Sequence, residues 1–245
     1  CRRVFENIRP EAVVHSAALT NVDLCEVEKD TAWRINVNGT ESVARLCREF
    51  NCFMVFISTD YVFNGERGLY AEKDKPDPIN YYGYTKLKAE EVIKMILDDY
   101  CIVRASVIFG SKPAAGKINF ALWVLDNLKQ GKKINVVIDQ INSPTLNTNL
   151  AETILEILGR RLVGLYHVAG ATPISRYDFA CVLAEEFKLE KELIQPTTSD
   201  KINWIARRPR NTSLNVMKAQ KELKKKPLDI HDAIKRLRKE LENPE

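Results

Sequence analysis

The run Phe53-Met54-Val55-Phe56-Ile57-Ser58-Thr59 limits what this chain can become. It is too short for a buried helix, holds no glycine or proline, and stays apolar for five residues, so it reads as a strand covered on both faces. Further strands read at 12–16, 101–108, 134–138 and 164–168. Amphipathic helical patterns read near 28–50, carrying Trp33, Val37, Val43 and Leu46, then at 82–98, about 117–130, 147–158 and 175–188. Strands alternating with helices imply an α/β protein built on a doubly wound parallel sheet. Ligands of such sheets bind beyond the carboxyl ends of the strands, where Ala17, Ala18, Thr59 and Val107 fall.

The chemistry-bearing pair is Tyr82 and Lys86, in Tyr81-Tyr82-Gly83-Tyr84-Thr85-Lys86. Helical residues four apart lie about 40° from one another around the axis, so the phenol and the ammonium share a face. Reducing a ketone by hydride transfer leaves negative charge on oxygen, and a positioned acid must supply a proton as it develops. A free tyrosine titrates near ~10, and bringing it to neutrality requires about 4 kcal/mol of preferential phenolate stabilisation. A neighbouring ammonium supplies that kind of stabilisation, so a depressed Tyr82 pKa is the expectation. The Thr59 hydroxyl, at the end of the strand shortly upstream, is placed to orient a carbonyl oxygen. Alone the pair fits a surface contact; beside a strand ending Ser58-Thr59-Asp60 it fits a proton-donating site.

The composition of 245 residues, 45% apolar and 29% charged, is that of a globular protein with a sizeable core. A net charge of +4 suits an anionic ligand and does not point to nucleic acid. No apolar run spans a bilayer and no signal peptide is visible. Six cysteines without metal-ligand spacing, several in apolar patterns, suggest buried thiols and a cytoplasmic setting. No metal is assigned, since Glu26, Glu28 and Asp30 fit a charged helix start. His15 reads as a satisfied histidine at a strand end rather than a base, and His167 as core. Arg207, Arg208 and Arg210 fit either diphosphate recognition or a solvated loop. After about residue 170 the texture changes, with a polar stretch at 194–198, a lysine-rich helix pair broken near Pro227, and a frayed tail over 242–245.

Six segments together resemble the extended short-chain dehydrogenase/reductases, and most closely their dTDP-4-dehydrorhamnose reductase branch. They are Ala17-Ala18-Leu19-Thr20-Asn21-Val22-Asp23, Ser58-Thr59-Asp60-Tyr61-Val62-Phe63, Tyr82-Gly83-Tyr84-Thr85-Lys86-Leu87, Asp139-Gln140 with Pro144-Thr145, Gly164-Leu165-Tyr166-His167, and Arg208-Pro209-Arg210-Asn211. The resemblance implies a Rossmann-like fold, with a dinucleotide-binding part at 1–110 and 147–169 and a substrate-binding part at 111–146 and 170–245. It implies Thr59, Tyr82 and Lys86 as the catalytic trio. Ala17, Ala18, Thr20 and Ser58, with Tyr82 and Lys86, would border NADPH or NADH. Asp60, Tyr61, Val107, Arg208 and Arg210 would meet a nucleotide-sugar, Val107 standing where the reductases often carry tryptophan. The implied reaction reduces the C4 ketone of dTDP-4-dehydro-L-rhamnose to dTDP-L-rhamnose. The alternatives are a non-catalytic subunit resembling the beta subunit of methionine adenosyltransferase, or a nucleotide-sugar epimerase or dehydratase. Neither a membrane nor a nucleic acid is expected as partner, and a homodimer is left open.

The family's opening strand, glycine-rich turn and helix, which cradle the cofactor pyrophosphate, have no counterpart in these 245 residues, so the first βαβ unit reads as missing. If these 245 residues are the entire polypeptide, weak or no dinucleotide binding and an unpaired sheet edge prone to association are expected; if the start has been cut away, the full protein is expected to be a working reductase.

Overall fold

The computed structural model describes residues 1–113 and 118–243. In chain order the elements are α1 (Arg2–Ile8), β1 (Ala12–His15), α2 (Val22–Val27), α3 (Lys29–Trp33), α4 (Gly39–Glu49), β2 (Phe53–Thr59), α5 (Tyr81–Ile96), β3 (Tyr100–Ala105) and β4 (Ile108–Phe109). There follow α6 (Phe120–Lys129), β5 (Ile134–Val137), β6 (Ile141–Asn142), β7 (Thr145–Leu146), α7 (Asn147–Arg160), β8 (Gly164–His167) and β9 (Ile174–Ser175). The chain ends with α8 (Arg176–Glu186), β10 (Ile194–Thr197), α9 (Met217–Glu222) and α10 (Ile230–Glu242).

β1, β2, β3 and β8 form a parallel sheet in that spatial order. Alternation along β2 builds both of its faces. Met54 and Phe56 pack with Phe5, Ala44, Leu46, Ala89 and Ile93 from α1, α4 and α5. Phe53 and Val55 pack on the other face with Leu150, Ile157, Ala219 and Leu223 from α7 and α9. Burying each such Phe or Val contributes roughly 1.5–3 kcal/mol, which is why this strand sits inside the sheet. β1 lies at the sheet's edge, with Val14 41% exposed. A separate core joins Phe109, Val124, Leu125, Phe179, Leu183, Ile234 and Leu237, from β4, α6, α8 and α10. Around it lie the short pairs β5–β10, β4–β7 and β6–β9.

Several expectations shift. The long helix near 28–50 is three pieces: α3, a π-helical turn at Arg34–Asn38, and α4. Apolar spacing does not register that one widened turn. The loop expected at 17–25 contains α2, capped by the Asn21 side chain accepting from Leu24 N at 3.1 Å. The strand expected at 101–108 breaks into β3 and β4 at Val107, whose φ is 43°. A β-branched residue there is strained by about 1–3 kcal/mol. The polar stretch at 194–198 supplies β10, because pairing with β5 satisfies its backbone whatever its side chains. Residue 117, where a helix was expected to begin, and residues 244–245 of the tail lie outside the described residues. Among the described residues no helix is long and apolar enough to cross a membrane, and all six cysteines are free.

Candidate active site

Tyr82 lies in the first turn of α5, whose start is fixed by three contacts. Asn80 caps the helix by accepting from Gly83 N at 2.9 Å, and its Nδ2 donates to Arg207 O at 3.0 Å. The Glu26 carboxylate accepts from Tyr81 N at 3.0 Å. Gly83 has no side chain because a Cβ there would overlap the Tyr61 carbonyl oxygen. That close approach brings the Tyr61 and Tyr82 rings to 6.1 Å, edge to face.

Tyr82 is half-buried, with its phenol near the Thr59 side chain at the carboxyl end of β2. Thr59 Oγ1 also accepts from Tyr61 N at 3.2 Å and donates to Asp60 Oδ1 at 3.2 Å. One turn further along α5, Lys86 is 3% exposed, donates to Ile57 O at 2.7 Å and sits 4.0 Å from the centroid of the Phe56 ring. The trio expected from the sequence therefore gathers between the end of β2 and one face of α5.

The electrostatics run against expectation. Burial pushes the Tyr82 phenol above its ordinary value, with the nearby Thr59 hydroxyl opposing and Asp60 reinforcing the rise. The expected depression is absent because desolvation of the phenolate dominates. Burial also lowers the Lys86 ammonium to about 7, against an opposing pull from Glu90. His15 is held neutral, lowered to about 4 by burial and then by Lys86, while its Nε2 meets Thr40 Oγ1 at 3.0 Å. His167 falls to about 3 through burial and the nearby Arg104, and is core.

Two assigned residues face elsewhere. Ser58 is 5% exposed and donates to Glu90 Oε1 at 2.6 Å, so its hydroxyl is taken from any cofactor. The strand's alternation explains this, since Ser58 shares the Met54–Phe56 side that packs on α5. Asp60 is 2% exposed and braces the site from within. Its Oδ2 accepts from Ser106 at 2.9 Å, from Asn142 at 3.5 Å and from Thr212. Burial raises its pKa, the bonds from Thr212, Ser106 and Thr59 opposing.

At the end of β1, Ala17 and Thr20 are exposed and Ala18 is half-buried. Their loop is pinned by Asn36, a residue sequence reasoning passed over. Its Oδ1 accepts from Leu19 N at 2.7 Å, while Nδ2 donates to Leu19 O at 3.1 Å and to Thr85 Oγ1 at 2.9 Å. Asn36 lies in the π-helical turn, and such turns often mark functional sites. Small side chains on a loop tied through Asn36 to Thr85 of α5 leave room for a ligand such as the nicotinamide end of a dinucleotide. The sequence holds no glycine-rich cradle for the pyrophosphate.

On the other side of α5's start lies a cavity of about 520 Å³ lined by Asn64, Gly65, Glu66, Ile79 and the 207–211 segment. Arg207 and Arg210 are exposed there. Arg208 is half-buried and paired with Asp23 at 2.8 Å, and its guanidinium stands 5.4 Å from the Trp204 ring centroid. Asp23 also accepts from Ile205 N at 3.1 Å and Ala206 N at 2.9 Å. Val107, half-buried, follows Ser106, which donates to Asp60. The sequence also held no hint of Arg176, half-buried, whose guanidinium stands 4.9 Å from the centroid of the Phe120 ring.

Comparison with known proteins agrees with this geometry. The RmlD substrate binding domain family matches residues 1–243. The spore coat polysaccharide biosynthesis protein SpsK of Bacillus subtilis is 38% identical over 200 residues, covering 81% of this chain and 69% of that protein. The dTDP-4-dehydrorhamnose reductase of Escherichia coli is 32% identical over 248 residues, covering 96% of this chain and 81% of the enzyme. The crystal structure of the Bacillus anthracis dTDP-4-dehydrorhamnose reductase in complex with NADP superposes with a TM-score of 0.91 at 31% identity, covering 98% of this chain and 84% of that one. A parallel sheet, a Tyr82–Thr59 contact at its carboxyl edge and a match over nearly the whole chain agree, and the chain belongs to the RmlD substrate binding domain family.

Proposed function

We propose that this protein is a nucleotide-sugar reductase that uses NADPH or NADH to reduce the C4 ketone of dTDP-4-dehydro-L-rhamnose to dTDP-L-rhamnose. The observation carrying this is the placing of Tyr82 in the first turn of α5, beside Thr59 at the end of β2, with Lys86 one turn further along and tied to Ile57 O. A ketone oxygen docking beside Thr59 receives the proton from Tyr82 as negative charge develops on it. The reduced nicotinamide supplies the hydride when bound.

In this reading the loop bearing Ala17, Ala18 and Thr20 meets the nicotinamide and Lys86 holds its ribose. Tyr61 and Val107 lie along the sugar, and Arg208 and Arg210 face the diphosphate. Asp60 acts through Thr59, without touching substrate. Residues 1–110 and 147–169 make the cofactor side, while 111–146 and 170–245 make the substrate side. The family relationship to dTDP-4-dehydrorhamnose reductases at about a third identity supports the choice of sugar.

The test is NADPH oxidation dependent on dTDP-4-dehydro-L-rhamnose, using the full-length polypeptide. Tyr82→Phe lowers turnover by roughly 100-fold or more while the circular dichroism spectrum is kept. Near-normal turnover of that variant refutes the assignment. No ketone reduction by the unaltered protein, with co-purification of a synthetase, favours the regulatory-subunit alternative.

A further inference from the structure

Where α5 lies on the sheet the contact is apolar, through Met54, Phe56, Ala89, Ile93 and Ile102, except along one row. Ser58 of β2 stands opposite Arg104 of β3, and Arg104 opposite His167 of β8. Register partners on neighbouring strands leave the sheet on the same side. That side faces α5, because Ser58 Oγ donates to Glu90 Oε1 at 2.6 Å while Arg104 Nε and Nη2 donate to the same carboxylate at 2.9 and 2.7 Å. His167 closes the row, its Nε2 3.4 Å from Arg104 Nη1. All four side chains are buried.

Lys86 precedes Glu90 by one turn on the same face of α5. Its ammonium is tied to Ile57 O, and the next residue of β2 is the Ser58 that holds Glu90. Neighbouring residues of one strand thus fasten a cation and an anion side by side. Both Glu90 oxygens are occupied by Ser58 and Arg104, so the carboxylate acts on Lys86 through space, opposing the burial that would discharge it. Arginine keeps its proton in a folded protein. Arg104 therefore holds Glu90 ionised and competes with Lys86 for its charge. Of the other titratable groups on the packed elements, His15 of β1 and His167 of β8 are held neutral, and Tyr82 of α5 keeps its proton. Lys88 and Glu91 of α5 pair with each other.

A phenol that gives up its proton leaves a phenolate, which a charged Lys86 stabilises and a neutral one does not. We propose that Glu90, gripped by Arg104 and Ser58, is a positioning residue for the ketone reduction: its carboxylate keeps the Lys86 ammonium charged at the end of β2 beneath Tyr82. Glu90 touches neither cofactor nor substrate and acts only through Lys86. The role rests on the reductase reading above.

The test uses the full-length protein with isotopically labelled lysines, followed by nuclear magnetic resonance, and the pH dependence of kcat/KM with NADPH and the keto sugar. The Lys86 signal is assigned by its loss in Lys86→Met. It should titrate near 7 in the parent and roughly one unit lower in Glu90→Gln, where the attraction is gone and Arg104 repels unopposed. The alkaline fall of kcat/KM should move down by the same amount, so that lowering the pH rescues Glu90→Gln. A carboxylate with a merely structural role would move neither. The double variant Glu90→Leu with Arg104→Met strands no buried charge and serves if Glu90→Gln fails to fold. Its Lys86 should also titrate below the parent. A Lys86 titration unmoved in these variants overturns the proposal, and so does a moved titration with an unchanged kcat/KM profile. Absence of ketone reduction by the unaltered protein overturns the reductase reading, and the lysine titration, which needs no substrate, still decides whether Glu90 governs Lys86.

Discussion

Gly83 packs against the carbonyl oxygen of Tyr61 so closely that no side chain fits between them. This contact sets the distance between α5 and the turn following β2, and with it the placing of Tyr82 against Thr59. Gly83→Ala must push α5 outward. A displacement near 1 Å at a reacting centre is enough to lower kcat/KM by about 100-fold. Kinetics would show the loss, while circular dichroism should still report a folded protein. Activity within a factor of two of the parent would mean the helix start is softer than this packing implies.

The lowered Lys86 pKa ties stability to pH. Unfolded, this lysine holds its proton up to its ordinary value of 10.5, whereas folded it releases it near 7. Between those values the unfolded chain binds more protons, so Lys86 makes stability rise with pH, and below about 7 its buried charge is a standing penalty. Lys86→Met removes that penalty, on the order of 4 kcal/mol at acid pH. Urea denaturation at pH 6 and pH 9 should show the variant gaining more at the lower pH. An equal gain at both would contradict the lowered pKa.

Arg104 and Glu90 form an enclosed ion pair, 1% and 0% exposed, bonded at 2.9 and 2.7 Å through Nε and Nη2. Arg104→Met strands the Glu90 carboxylate and should cost about 3–5 kcal/mol. Adding Glu90→Leu should restore part of the loss, because both charges are then gone. Chemical denaturation of the two variants checks this, and a double variant no more stable than Arg104→Met counts against it.

Asp23 joins α2 to the 205–208 segment, accepting two backbone amides and the Arg208 guanidinium. Burial raises its pKa, but these bonds more than offset that and leave it below the usual carboxylate range. Asp23→Asn should free the segment and raise KM for the nucleotide-sugar several-fold with kcat nearly kept. A change confined to kcat would place Asp23 in the chemistry instead.

The sheet, and the placing of Thr59 at the end of β2 and of Tyr82 and Lys86 on α5, were legible because they rest on local pattern. β2 announces itself by an unbroken apolar run, and Tyr82 and Lys86 by a spacing that any helix turns into a shared face. What the sequence hid depends on partners distant along the chain. Ser58 looks like a free hydroxyl until Glu90, 32 residues on, accepts its proton. Asp60 looks like a ligand carboxylate until Ser106, Asn142 and Thr212 close around it. The sign of the Tyr82 shift turned on how much water α5 and β2 exclude, a quantity that spacing does not carry. Asn36 and Arg176 stand alone in the sequence, and only folding gives them company.

The α5 helix is tied at three heights: Asn80 to the Arg207 carbonyl at its start, Thr85 to Asn36 in its middle, Glu90 to Arg104 further down. A rod moored in this way behaves as an anvil. One of those ties is the Arg207 carbonyl, so the 205–211 segment, itself held by Asp23 and by Asn211 N donating to Gly65 O, is fastened to the same helix.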